Sequence, residues 1–160
     1  MNKKRVNNYL PNAISVLKDV GIAVEQKSEN NNAEKVYKID STYRANISGF
    51  GAAVIMGSFK AAVAFYAEDA KGDNPAKSNK IYRSKLLQAM YYIVNDGEYP
   101  KCKEGDKNFF PDNAKAPKEI CKEIIELKAS NEKEICAKWI DASIALKLAM
   151  SAYTLEKGKE

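Results

Sequence analysis

Histidine is absent from the 160-residue chain. That removes the side chain that most often serves as general base at neutral pH and as neutral metal ligand. Histidine-dependent triads are thereby excluded. Cys102, Cys121 and Cys136 are too widely spaced for a C-x-x-C metal or redox motif, and an odd number of cysteines speaks against a secreted disulfide framework. They read as reduced thiols, and Cys121, next to Ile120 and close to Ile124 and Ile125, reads as a small buried hydrophobe. Asp69, Asp73, Asp96, Glu98, Glu104, Asp106 and Asp112 fall mainly in loops, without a spacing that would converge two of them on a substrate or a magnesium ion. No G-x-x-x-x-G-K-[ST] loop occurs, and Gly49-Phe50-Gly51 lies inside a helical pattern rather than between strand and helix, so those glycines serve packing. The chain is expected to be no enzyme and to need no cofactor and no metal. Carboxylate-only hydrolysis is the one catalytic reading left, and nothing in the spacing supports it.

The positive chemistry is cationic. Formal net charge is +5, and basic residues gather near the starts of helical patterns: Lys3, Lys4 and Arg5; Lys38 and Arg44; then Lys77, Lys80, Arg83 and Lys85. Lys60 adds a charge beside Tyr43 and Phe59, two aromatics that would offer stacking surfaces to exposed bases. Most lysines on polar helix faces are simply solvated. Arg44 and Arg83 stand out because arginine is scarce in this lysine-rich sequence and its planar fork suits phosphate. The candidate nucleic-acid contacts are Arg44, Lys60, Arg83 and Lys85.

Positioning these residues is the work of helices. Sustained period-2 alternation is nearly absent while spacings of three and four recur throughout, so the class is all-α: a single bundle of about six helices over residues 1–160. Hydrophobic residues make up 45% of the chain, enough for one core. The first helix should include Arg5 to about Val20, with Gly21 at its end and Pro11 marking a kink or a fresh first turn. Residues 26–40 turn polar and read as a mobile loop. Asp40 or Ser41 caps a second helix reaching Met56, along which Gly49, Ala53 and Gly57 form a stripe poor in side chains. Phe59, Ala62, Val63 and Tyr66 give the apolar face of a third. Asn74-Pro75 starts another turn, and Tyr82, Leu86, Ala89, Met90 and Ile93 line the fourth helix, which Asn95-Asp96-Gly97 stops.

Residues 97–116 read as a long surface loop pinned by Phe109 and Phe110, and Pro117 opens a fifth helix. The last helix should begin at a capping box of Asn131 and Glu134 and continue to about Lys157. Ile135, Trp139, Ala142, Leu146, Ala149 and Tyr153 form one stripe on it, and Ile140, Ile144, Leu148 and Leu155 another. Either the helix is central in the bundle, or one stripe is reserved for another protein molecule. The apolar run Ala45–Ala67 has the length of a membrane span, but Lys60 near its centre and the small residues around it point to buried soluble helices instead. Asn7-Asn8, Pro11 and Asn12 break any signal-peptide core behind the basic N-terminal residues, so a cytoplasmic location is expected.

The segment Tyr43-Arg44-Ala45-Asn46-Ile47-Ser48-Gly49-Phe50-Gly51-Ala52-Ala53-Val54-Ile55-Met56-Gly57-Ser58, followed by Ala62-Val63-Ala64-Phe65-Tyr66, resembles the small subunit of the type III-B CRISPR effector, the Cmr complex. Tyr9-Leu10-Pro11-Asn12-Ala13-Ile14 before Gly21-Ile22-Ala23, and Arg83-Ser84-Lys85-Leu86-Leu87-Gln88-Ala89-Met90 before Tyr91-Tyr92-Ile93, extend the resemblance to roughly half the chain. What it implies is a helical, non-catalytic subunit that stacks in several copies beside other Cmr subunits, lining the groove where guide RNA pairs with target RNA in antiviral defence. By position, Arg44 and the pair Arg83 and Lys85 match basic places in the family pattern, whereas residues 97–115 have no counterpart. A reading from another class is a helical protein–protein adaptor with no nucleic-acid role.

Overall fold

The Asn2 side chain accepts from the Arg5 amide at 3.1 Å and so opens α1 (Lys3–Asp19), which buries Val6, Tyr9, Ala13, Val16 and Leu17 at spacings of one side of a helix. The computed structural model describes residues 1–26, 35–68, 82–97 and 114–157. Pro11 sits inside α1 on its exposed side, so the helix carries it without a fresh start. Gly21 then takes φ +76°, and the Gly21 and Ile22 amides donate back to the Lys18 and Leu17 carbonyls, a left-handed closure that glycine adopts without a Cβ penalty. Ile22 and Leu17, the apolar pair of that closure, are both buried.

Asp40 caps α2 (Ser41–Met56) by accepting from the Thr42 amide at 2.8 Å, one of the two caps the sequence offers. Ser58 caps α3 (Phe59–Ala67) the same way, accepting from Ala61. The break at Gly57-Ser58 splits the Ala45–Ala67 run into two helices, and no helix among the described residues is long and apolar enough to cross a membrane. α4 spans Arg83–Val94 and ends through Asn95 and Asp96, the latter at φ 49°. Pro117 is the first residue of α5 (Pro117–Ile125), where its missing N–H costs nothing, and Glu119 reaches back to the Ala116 amide.

α6 (Ala129–Ala149) runs through the middle of the bundle, packed on α1, α2 and α4. Trp139, 1% exposed, meets Phe59 edge-on at 5.8 Å between centroids and Phe50 at 6.4 Å. Ala142, Leu146 and Ala149 continue the buried stripe, whereas Ile140 and Ile144 are half-buried and Leu148 is half exposed, leaving the second stripe open. The central placement therefore holds, with one flank still facing outward.

Two features depart from the sequence expectations. α6 begins at Ala129 rather than at an Asn131 cap, and it stops at Ala149 rather than near Lys157: a 3-10 turn (Met150–Ala152) leads into a strand, β3 (Thr154–Glu156). The polar stretch 26–40 contains β2 (Val36–Asp40), paired antiparallel with β1 (Ala23–Gln26) and parallel with β3 in the order β1-β2-β3. Ile39, fully buried, anchors this small sheet to the core, opposite Ala23 and Leu155. The helix ends early because Leu155 is drawn onto the core and the Tyr153 hydroxyl donates to the Ile14 carbonyl at 2.8 Å. Residues 27–34 of the polar loop, the Asn74-Pro75 start and 98–113 of the long loop lie outside the described residues. The all-α class stands, with six α-helices and a long C-terminal helix among the described residues and the sheet as an appendage.

Candidate nucleic-acid interface

Two tyrosines set where the arginines stand. The Tyr82 amide donates to the Tyr43 hydroxyl at 3.4 Å, which brings the first turn of α4 against the first turn of α2. The Tyr66 hydroxyl donates to the Asn46 carbonyl, which holds the far end of α3 against the same turn of α2. Arg44 and Arg83 thus occupy the same end of the bundle. They do not form one patch: a Cβ on Gly49 would lie 3.9 Å from the Tyr66 hydroxyl of α3, and Gly49 is about 140° round α2 from Arg44 at 100° per residue. Arg44 is half-buried on the other flank, and its guanidinium has no hydrogen bond or ion pair among the described residues.

Arg83 lies over an aromatic ring. Its guanidinium carbon is 3.9 Å from the centroid of Phe65, a cation–π contact, and Phe65 is 50% exposed. Phe65 in turn meets Tyr66 edge-on at 5.8 Å. Burial raises the Tyr66 phenol above its ordinary pKa, an effect that the nearby Arg83 charge partly offsets.

Lys60 and Lys85, also expected as nucleic-acid contacts, are half-buried and hold partners within the fold. Lys60, at the other end of the α2–α3 pair, donates to the Leu127 carbonyl at 3.0 Å and sits 3.5 Å from Glu132, tying α3 to the α5–α6 turn. Lys85 donates to the Gly21 carbonyl at 3.2 Å, and burial lowers its pKa to about 8. A side chain so placed serves the joint between α1 and α4. The N-terminal cluster is also partly committed, because Arg5 pairs with the buried carboxylate of Asp141 at 3.1 Å. Lys38 is paired with Glu156 across the sheet.

The stacking surfaces differ from those expected. Tyr43 and Phe59 are 4% and 3% exposed, so neither offers a ring to a base. Among the described residues Phe65 is the one exposed aromatic, and sequence reasoning missed it. The available signal was position: Phe65 falls off the Phe59, Ala62, Val63 and Tyr66 stripe that faces the core. Charge is segregated as well. Neither Ser41–Ala67 nor Arg83–Val94 contains an aspartate or glutamate, whereas α5 and α6 carry Glu119, Glu123, Glu132, Glu134 and Asp141.

Other chemistry is sparse. Burial raises the Cys121 and Cys136 thiol pKa values, and Glu132 raises Cys136 further, so both stay in the poorly nucleophilic protonated form. No cluster of three metal-ligating side chains occurs among the described residues. Comparison with family models, with curated proteins and with solved structures finds no match for this chain.

Proposed function

We propose that the chain is a non-catalytic helical subunit of a type III-B CRISPR ribonucleoprotein effector in the cytoplasm. It packs against other Cmr subunits and further copies of itself, and touches the guide or target RNA backbone. The observation that supports this reading is that α2, α3 and α4, the helices that bear Arg44 and Arg83 on separate flanks of one end of the bundle, contain no aspartate or glutamate of their own, and the Tyr43–Tyr66 resemblance falls on α2 and α3. A subunit that reads backbone charge needs rigidly mounted cations rather than base-specific loops, and sequence choice is left to the guide. A modest cationic surface binds weakly alone and becomes effective when copies align along one strand.

The test is retention of RNA by the assembled complex. Replacing Arg44 and Arg83 by Ala should weaken retention and flatten its salt dependence, by about 0.7 in log–log slope per lost phosphate contact on a single strand. A chain that never co-purifies with a guide-containing complex would sink the proposal.

A second reading has its own observation. Ile55 and Met56, 83% and 87% exposed at the end of α2, lie on a helix face with no charged residue after Arg44, which suits a protein partner. Were this a pure adaptor, the arginine substitutions would leave the assembly's RNA content unchanged.

A further inference from the structure

We infer that the outer face of α2 is a two-fold contact surface on which a second copy of this chain lays its own α2, antiparallel. The proposal gives the packing of copies named above a surface, and it rests on that self-packing rather than on RNA. No exposed residue of α2 carries a charge, whereas α1, α5 and α6 set lysines such as Lys4, Lys122 and Lys147 on their exposed sides. A solvated helix is expected to be polar there. Instead Ala45, Ser48, Ala52, Ile55 and Met56 are exposed within an arc of about 100° of the helix surface, and the two largest of them stand together, mostly exposed, at its carboxyl end.

The layout names the occupant. In an antiparallel pair whose axis passes α2 between Phe50 and Gly51, Ile55 and Met56 of each copy fall over Ala45 of the other, and Ser48 falls beside the other's Ala52. Bulk meets room at both ends. Charge agrees, because α2 has no basic residue in its last turn, where the helix dipole is negative, and this register brings Arg44 of the second copy to that end. Arg44, half-buried at the rim of the face, has no partner among the described residues, and its five donors suffice for a helix end on one side and a phosphate on the other. One helix pair about 24 Å long is small beside the roughly 1,600 Å² of a standard interface, so the contact is weak and fills at high concentration or where an assembly holds copies together. Two-fold pairing closes on itself, so a longer row of copies uses a second surface.

Sedimentation velocity of the full chain under reducing conditions, from about 10 µM to about 1 mM, should show a monomer giving way to a dimer and to nothing larger. Ala52→Lys and Ala52→Glu each set like charges together across the axis and should raise the dissociation constant about tenfold or more; their equimolar mixture should regain the dimer, because lysine then meets glutamate. Arg44→Ala should weaken pairing about fivefold, since two helix-end contacts are lost. Ala52 is exposed, so both of its variants keep the fold, which circular dichroism verifies. A wild type that stays monomeric to about 1 mM, a dimer indifferent to both Ala52 substitutions, or a mixture that fails to pair overturns the proposal. If any of these holds while Arg83→Ala lowers RNA retention by the assembled complex, the surface alone falls. If the chain pairs as expected but never joins a guide-containing complex, the surface stands and the RNA reading falls.

Discussion

The Lys85 ammonium meets the Gly21 carbonyl oxygen at 3.2 Å, so a cation from α4 sits at the negative end of the α1 dipole. Burial opposes that charge and lowers the Lys85 pKa to about 8 from an ordinary value of 10.5. Between those values the unfolded chain holds a proton that the folded chain has released, so this group makes stability rise as pH climbs through that window. Below about pH 8 both states are charged and the desolvation penalty is present in full. Cys121 and Cys136, raised above 9.0, and Tyr9, Tyr66, Tyr91 and Tyr153, raised above 10.0, act in the opposite direction near and above their ordinary values. The Lys85 contribution is therefore read as a difference. Urea unfolding of wild type and Lys85→Met from about pH 7 to 10 should show the wild type gaining on the variant as pH rises; parallel profiles would exclude the buried-cation account.

Among the described residues Asp141 is the one buried carboxylate. Its side chain is 3% exposed and accepts from Arg5 and from the Asn2 amide, both at 3.1 Å. Arg5→Ala should cost about 2–3 kcal/mol, somewhat below a fully buried pair because Arg5 is 28% exposed and water relieves part of the loss. Replacing both members, as in Arg5→Met with Asp141→Leu, should recover most of that stability. Chemical denaturation of the single and double variants measures both numbers.

Trp139 fills the space where α2, α3 and α6 meet. Trp139→Ala should cost about 3–5 kcal/mol, because Phe50 and Phe59 cannot close the resulting void. Trp139→Phe should cost less than half as much. Differential scanning calorimetry would register the two losses in that order.

Ile55 and Met56 offer a control on the surface. Both are mostly exposed, so Ile55→Glu with Met56→Glu should change the stability of the isolated chain by no more than about 0.5 kcal/mol per site. In the assembled complex the same pair should reduce incorporation of the subunit, which quantitative pull-down with a tagged partner subunit detects. Normal incorporation would mean that this end of α2 faces solvent in the complex too.

Much of the helical architecture was legible because it is local. Asp40, Pro117 and Gly21 act where their chemistry predicts, and the buried stripe of α6 from Trp139 to Ala149 follows from spacing alone. The strands were not legible: each is three to five residues long, and Val36–Asp40 takes one partner from β1 across the polar stretch and the other from β3, far away in sequence. The site was read less well than the fold. Lys60 and Lys85 look like surface charges until the Leu127 and Gly21 carbonyls that hold them are in place, and no pattern in sequence marks an acceptor so far away. Tyr43 and Phe59 went to the core because their helix faces did.

The parallel pairing of β2 with β3 also governs when the small sheet can close. Lys38 finds Glu156 across 118 residues of chain, so on the ribosome β2 presents an open edge until the strand that covers it has emerged. During that interval only β1 shields one side, and the exposed edge is where a nascent chain would pair with a neighbour. The sheet is thus completed by its most distant strand, well after the helices that precede it in the chain.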